Sequence, residues 1–171
     1  IQNVPGTTLI DNVSLPAGTN TMIGQYEDRT NNRIIYFIHN NNSNHGIWYF
    51  DPNSGNHTLV LQSQYLGFSL SNRISSIDSI VDTLTWTDDL NEPRSIVVAD
   101  AVAGAYSSTS DLEFQISVQK FNPPLPATAT RGTDATVAIN NVSSDSFQFS
   151  FRFTYLDNSN SFFSPPSKSV Q

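Results

Sequence analysis

Residues 146–155 read SFQFSFRFTY. Successive side chains of an extended strand point to opposite faces. Phe147, Phe149, Phe151, Phe153 and Tyr155 therefore share one face, and Gln148, Ser150, Arg152 and Thr154 share the other. An amphipathic helix repeats near 3.6 residues and has no such spacing. Burying one such ring contributes roughly 1.5–3 kcal/mol, so the spacing predicts a strand with its aromatic side buried against another sheet.

The rest of the chain reads the same way. Thr21–Glu27 (TMIGQYE), Arg33–His39 (RIIYFIH), Ile47–Phe50 (IWYF) and Thr58–Leu61 (TLVL) read as strands, joined by the loop 40–46 and the turn DPNSGN at 51–56. Short strands separated by turn residues describe an antiparallel meander. The unbroken apolar run at 33–39 suggests burial on both faces. Residues 1–19 hold Pro5, Gly6, Pro16 and Gly18 and read as an irregular lead-in. A weaker copy of the meander follows, with LTWT at 84–87 and a strand from Ser95 to Val98. Laying Ile34 over Leu84 and Tyr36 over Trp86 gives an offset of 50 residues, near the spacing of propeller blades.

Residues 100–110 are small and weakly periodic, a loop or one helical turn. Leu112–Phe121 (LEFQISVQKF) alternates and predicts a half-buried strand with Leu112, Phe114, Ile116 and Val118 on one face. Pro123, Pro124 and Pro126 then stiffen the chain and remove backbone donors, which places a boundary between modules 1–121 and 122–171. Beyond it, Thr136–Ile139 reads as a strand, Asn140-Asn141 as a turn, and 157–160 as the turn after the aromatic strand. A sandwich of about seven strands does not fit into the second module. Together with a first residue Ile1, this predicts a segment of a longer polypeptide.

Composition narrows function by exclusion. Only 13% of residues are charged, and polarity comes from Ser, Thr and Asn, which compete with the backbone for hydrogen bonds and disfavour helix interiors. The net charge is −7, and no two of the eight basic residues are adjacent, so the basic surface a nucleic-acid reader needs is missing. The absence of cysteine excludes disulfides and Cys-ligated zinc. No apolar run reaches the roughly 20 residues of a membrane-spanning helix.

Candidate chemistry is sparse. His39, His45 and His57 lack metal-binding spacing. No nucleophile elbow, P-loop or dinucleotide fingerprint occurs. The loop DPNSGN is a partial echo of a calcium loop, with Asp51, Asn53 and Gly55 only. The N-x-[ST] triplets at Asn12, Asn41, Asn56 and Asn141 are expected by chance in so Asn-, Ser- and Thr-rich a chain. The carboxylate pairs Glu27-Asp28 and Asp88-Asp89 admit two readings: half of a glycan-cleaving site, or side chains that cap turns through hydrogen bonds to the backbone. The turn reading is favoured, because sequence places no second carboxylate across a cleft. Trp48, Tyr49 and Phe50 are consecutive, so one of them faces outward as a surface for glycan or protein unless the strand is covered on both sides.

The stretch LTWTDDLNEPRSI, Leu84 to Ile96, carries a resemblance. LTWTD is similar to the signature of YWTD-type propeller blades. With LNEPRSI it resembles a phrase of structural proteins from tailed phages of Bacteroidetes, the crAss-like group among them, where W-T-D is followed by G-L-N-x-P-R-x-I. Asp89 stands where that phrase has glycine, at a place where positive φ would be easier for glycine. GTNTMIGQYEDRTNNRIIYFIHNNNSNHGIWYFD resembles their first blade, and NPPLPATATRGTDATVAINNVSSDSFQFSFRFTYLDNSNSFFSPPS their proline hinge and fibronectin-like half-module.

The resemblance implies an all-β chain: propeller-blade meanders over 1–121, then a partial fibronectin-like sheet. It implies a non-enzymatic virion protein of the tail, without cofactor or metal, working by assembly with other virion subunits or copies of itself. Two blades cannot close a ring that needs at least four, so neighbours must complete the sheets. The alternative is a module adhering to a glycan on a host surface. Within the signature, Leu84 and Trp86 are expected on the core face, Asp88, Asp89, Asn91 and Pro93 as the turn, and Arg94 as an ion-pair partner for one of those carboxylates.

Overall fold

The computed structural model describes residues 13–106, 109–130, 132, 135–136, 146–155 and 157–169. The expected strand at Thr136–Ile139, the turn at Asn140-Asn141, most of the lead-in, and the sequons at Asn12 and Asn141 fall wholly or largely outside these residues. The chain divides into two compact units, Ile1–Gln119 and Lys120–Gln171.

The first unit is mostly β. Strands β1 (Asn20–Asp28), β2 (Arg33–Asn40), β3 (Gly46–Asp51) and β4 (Asn56–Gln62) form one antiparallel sheet in sequence order. Strands β5 (Ser76–Ile80), β6 (Thr83–Thr87) and β7 (Arg94–Val97) form a second. Ile35 and Phe37 on β2, Ile47 on β3 and Leu61 on β4 join Leu84 and Trp86 on β6 and Ile96 on β7 in one buried core. Phe37 and Trp86 meet across it with ring centroids 5.6 Å apart.

The sheets also touch along β1. A bulge between Met22 and Gly24 interrupts pairing with β2, and the Ile23 carbonyl accepts a hydrogen bond from the Ile74 N–H (3.2 Å). A bulge residue is free of the ladder and can turn its polar groups elsewhere. A β-carbon on Gly24 would lie 2.7 Å from that of Ile74, so only glycine permits this approach.

Two short helices complete the core. Helix α1 (Val98–Val102) contributes Val98 and Ala101, and α2 (Leu112–Ile116) contributes Leu112 and Ile116. The strand expected over Leu112–Phe121 is thus a helix in its first half. Leu112 and Ile116 are buried, whereas Phe114 and Val118 are 46% and 47% exposed. Four residues separate the buried pair, a spacing that period two and a helical turn both satisfy. The exposure of Phe114 decides for the helix, and Val118 lies beyond its end.

The offset of 50 residues is corrected as well. Leu84 and Trp86 belong to the core, but Ile34 is exposed and Tyr36 lies on the opposite face of its sheet from Ile35 and Phe37. A consistent recurrence has an offset of 60, with Tyr26, Asp28 and Asn31 falling on Trp86, Asp88 and Asn91.

The second unit holds no named helix or strand among its described residues. Its extended segment 146–155 is tied to 159–167 by a ladder built partly from hydroxyls. The N–H groups of Ser161, Ser164 and Ser167 donate to the carbonyls of Phe153, Phe151 and Phe149 at 3.0, 2.7 and 2.8 Å. Each serine Oγ accepts the N–H of the same phenylalanine, at 3.0–3.1 Å. Each hydroxyl donates in turn to the carbonyl of the residue that follows it. Three residues of the serine segment therefore oppose two of the aromatic one. Their hydroxyls supply the acceptors that a regular strand supplies from its backbone.

The aromatic side of 146–155 is accordingly not packed beneath another sheet as the alternation predicted. Phe147, Phe149, Phe151 and Phe153 are 40–51% exposed. Their rings pack along the segment instead, Phe151 on Phe153 and Phe153 on Tyr155, at 6.0 and 6.5 Å. At the far end Lys120 pairs with Asp157 (2.9 Å), and the Tyr155 hydroxyl donates to the Phe121 carbonyl (2.9 Å). Burial works to raise the Asp157 carboxyl, but hydrogen bonds from Ser159 and Lys120 outweigh it and hold it below the usual carboxylate range.

Candidate functional site

The acid-rich turn after β6 is built from Asp88. Its Oδ1 accepts the N–H groups of Leu90 (3.1 Å) and Asn91 (2.8 Å), and its Oδ2 accepts the Asn91 side-chain amide (2.7 Å). A short acidic side chain that reaches back-bone donors two and three residues on closes a tight turn. Asp89 sits inside that turn at φ 56°, the left-handed conformation for which the resembling phrase has glycine. Pro93 gives its carbonyl to Val118 N–H (2.9 Å).

Arg94 opens β7 opposite Trp86 and is buried. Among the described residues no carboxylate lies within ion-pair distance of it, which corrects the expected pairing. Its guanidinium instead donates to the carbonyls of Tyr65 and Leu66, at the end of a one-turn 3-10 helix, Gln64–Leu66. The last carbonyls of a helical turn have no partner within it. Burial works against the charge on Arg94, while Asp88, Glu113 and Glu92 favour it from a distance; a guanidinium stays protonated in such surroundings.

The same device recurs after β1, at the Glu27-Asp28 pair for which the sequence already favours a turn; that the two turns are copies of one another is not legible there. Asp28 accepts the Asn31 N–H (3.2 Å) through Oδ1, and through Oδ2 the Asn31 amide (2.9 Å) and Arg33 Nε (2.8 Å). The shared signal is Asp-x-x-Asn with arginine opening the next strand. Burial opposes ionisation of Asp28, but the Asn31 and Arg33 donors prevail and hold its carboxyl below the usual range. Arg33 also pairs with Asp82 (2.7 Å) of the second sheet. Each turn borders a shallow polar depression, of about 200 Å³ beside Asp28, Asn32 and Arg33, and about 240 Å³ beside Asn91, Glu92 and Arg94. In the second, Glu92 accepts the Ser117 hydroxyl (2.6 Å).

The other candidates lie apart from these turns. β3 is an inner strand of its sheet. Trp48 is buried, and Tyr49 and Phe50 are half-buried. The Trp48 ring stacks on Tyr36, with centroids 6.3 Å apart, and covers Gly46, where a β-carbon would meet it at 2.3 Å. Asp51 accepts Asn53 N–H and the Ser54 hydroxyl, which hold it below the usual range. Among the described residues, no three His, Cys, Asp or Glu side chains are grouped to hold a metal ion, and no helix is long and apolar enough to cross a membrane.

A general acid needs a carboxyl raised toward the working pH. Among the described residues, Asp28, Asp51 and Asp157 are held below their ordinary range by the donors of turns and ion pairs. No family model, no curated protein and no solved structure matches this chain.

Proposed function

We propose that this chain is a non-enzymatic structural protein of a phage virion, a part of the tail or its extension, which works by association with other subunits. The observation that carries this reading is the aromatic row of the second unit. Phe147, Phe149, Phe151 and Phe153 stand about half exposed, and Phe162 and Phe163 are 80% and 62% exposed. An apolar surface of this extent marks an interaction site. The acid-rich turns support the same reading, because their carboxylates are occupied by donors of their own chain. In this reading the two sheets are propeller-blade meanders and the second unit is a fibronectin-like fragment, and neighbouring subunits cover the open edges and rings.

Sedimentation velocity across a concentration series and electron microscopy of the assembled particle test the proposal. Concentration-dependent association into ordered rings, tubes or dimers is the expected result. A strict monomer at every concentration overturns it. Adhesion to a host-surface glycan is the second reading, favoured by the open rings of Phe162 and Phe163; it predicts glycan-array binding that disappears in Phe162→Ala and Phe163→Ala.

A further inference from the structure

The two polar depressions differ in their arginine. Beside the first, the Arg33 guanidinium meets two carboxylates, Asp28 through Nε (2.8 Å) and Asp82 through Nη2 (2.7 Å). Beside the second, Arg94 has no carboxylate within ion-pair distance among the described residues. Its Nη1 donates to the carbonyls of Tyr65 and Leu66, and its Nε and Nη2 donate to no described residue. Arg94 is nonetheless only 5% exposed. The unused N–H groups are not sealed in, because the buried side-chain atoms without a partner among the described residues are His57 Nε2 and Trp86 Nε1. They open on the depression that Arg94 lines together with Asn91, Glu92 and Glu113. A nearly buried guanidinium with unused donors is prepared for an acceptor from outside the chain.

The neighbours of Arg94 limit what that acceptor is. Glu92 gives Oε2 to the Ser117 hydroxyl (2.6 Å). Its other oxygen and both oxygens of Glu113 accept no hydrogen bond from a described residue. A phosphate or carboxylate would meet Arg94 only against the repulsion of these two acids. An ammonium group would satisfy the acids and leave the Arg94 donors unused. A calcium ion takes six to eight oxygen ligands, and no guanidinium belongs among them. The ligand must accept from Arg94 and donate to Glu92 and Glu113 without net charge. A hydroxyl does both, with one donor and two acceptor lone pairs.

We propose that this depression is a sugar-binding subsite, in which neighbouring hydroxyls of one sugar ring accept from Arg94 and donate to Glu92 and Glu113. Leu90, 55% exposed at its rim, gives the apolar face of the ring a surface to lie on. Pockets for drug-sized ligands run to about 300–1,000 Å³, so one of about 240 Å³ takes a single ring. The site belongs to the first unit and is distinct from the rings of Phe162 and Phe163. It goes beyond the assembly reading and holds whether or not the chain self-associates.

Heteronuclear NMR on the nitrogen-labelled full chain tests this, with D-glucose, D-galactose, D-mannose and N-acetyl-D-glucosamine as probes at millimolar concentration. At least one sugar is expected to shift the Arg94 Nε–H signal and the backbone amides of Glu92 and Glu113 saturably. The amides of Glu27 and Arg33, at the first depression, stay unchanged. Glu113→Ala removes an exposed side chain of α2 and should weaken the binding about tenfold, the worth of one hydrogen bond to a charged group. The rest of the amide spectrum should keep its positions, which shows that the variant folds. Inorganic phosphate, acetate and calcium should leave the site signals in place. If no sugar shifts them, or if phosphate, acetate or calcium does so and the sugars do not, the proposal falls. Shifts confined to Phe162 and Phe163 also overturn it and leave the glycan reading of those rings standing. Sedimentation decides the assembly reading separately, so the failure of one is distinguishable from the failure of the other.

Discussion

The Trp86 indole lies against Phe37 of the facing sheet, 5.6 Å between ring centres, and its Nε1 is buried without a hydrogen-bond partner. The contact joins the two sheets through packing alone. Trp86→Ala should therefore lower unfolding free energy by roughly 3–5 kcal/mol, the usual cost of removing a large buried ring. Trp86→Phe should cost markedly less, because no indole hydrogen bond is lost. Denaturant melts followed by circular dichroism measure both.

Asp88 and Asp28 each hold an asparagine three residues on through two hydrogen bonds, and Asp88 also accepts the Leu90 N–H. Alanine at either position leaves partly buried donors unsatisfied and should cost about 2–3 kcal/mol. Asp28→Ala should be the more damaging, since Arg33 loses a partner as well. Parallel chemical melts rank the two variants.

Val81 is a β-branched residue at φ 58°, 78% exposed at the β5–β6 turn. A branched side chain in the left-handed region is strained. Its carbonyl accepts the Asn31 amide (2.7 Å), a bond that any residue at 81 retains. Val81→Asn should raise stability by about 1 kcal/mol, seen as a higher midpoint in urea at unchanged slope.

His45 is buried, and its Nδ1 accepts the Asn40 N–H (3.2 Å), which a protonated ring cannot do. Its neighbour His39 lies 4.9 Å away. Burial first, then the His39 charge, lowers its pKa from about 6.5. The unfolded chain then takes up this proton before the folded one, so stability is full above about pH 6.5 and declines as pH falls below it. Near pH 4 and lower, Asp28 and Asp157, whose folded pKa values are depressed, add a second loss. Thermal melts from pH 8 to pH 3 should show both declines, and His45→Gln should remove the first.

Much of the first unit is legible in the sequence. The unbroken apolar run RIIYFIH and the alternation of LTWT both form strands in the expected places, although Ile34 is exposed and the first is not fully buried on both faces. Leu112–Ile116 misleads because two apolar residues four apart satisfy either period. The recurrence of Asp28 and Asp88 was hidden for a different reason. Pattern matching weighs apolar residues, and the repeated element is a polar turn. The serine ladder was beyond reach in another way. Ser161, Ser164 and Ser167 recur every third residue, a period belonging to neither the α-helix nor a regular strand. Their partners recur every second residue. Arg94 also escaped, since nothing local says that a buried guanidinium will prefer the carbonyls of residues 65 and 66 to the acids beside it.

Asp82 accepts Arg33 from the first sheet through one oxygen and the Ala99 N–H of α1 through the other, at 2.7 Å each, and its own carbonyl takes the Val98 N–H (3.0 Å). Three stretches far apart in sequence thus converge on one residue. The sixty-residue recurrence is therefore a repeated way of turning a corner, not a repeated self-sufficient building block. A polypeptide cut between β4 and β5 would yield two halves, each missing the other's wall. Evolution of such a chain by adding or deleting one sheet at a time would have to remake this junction at every step.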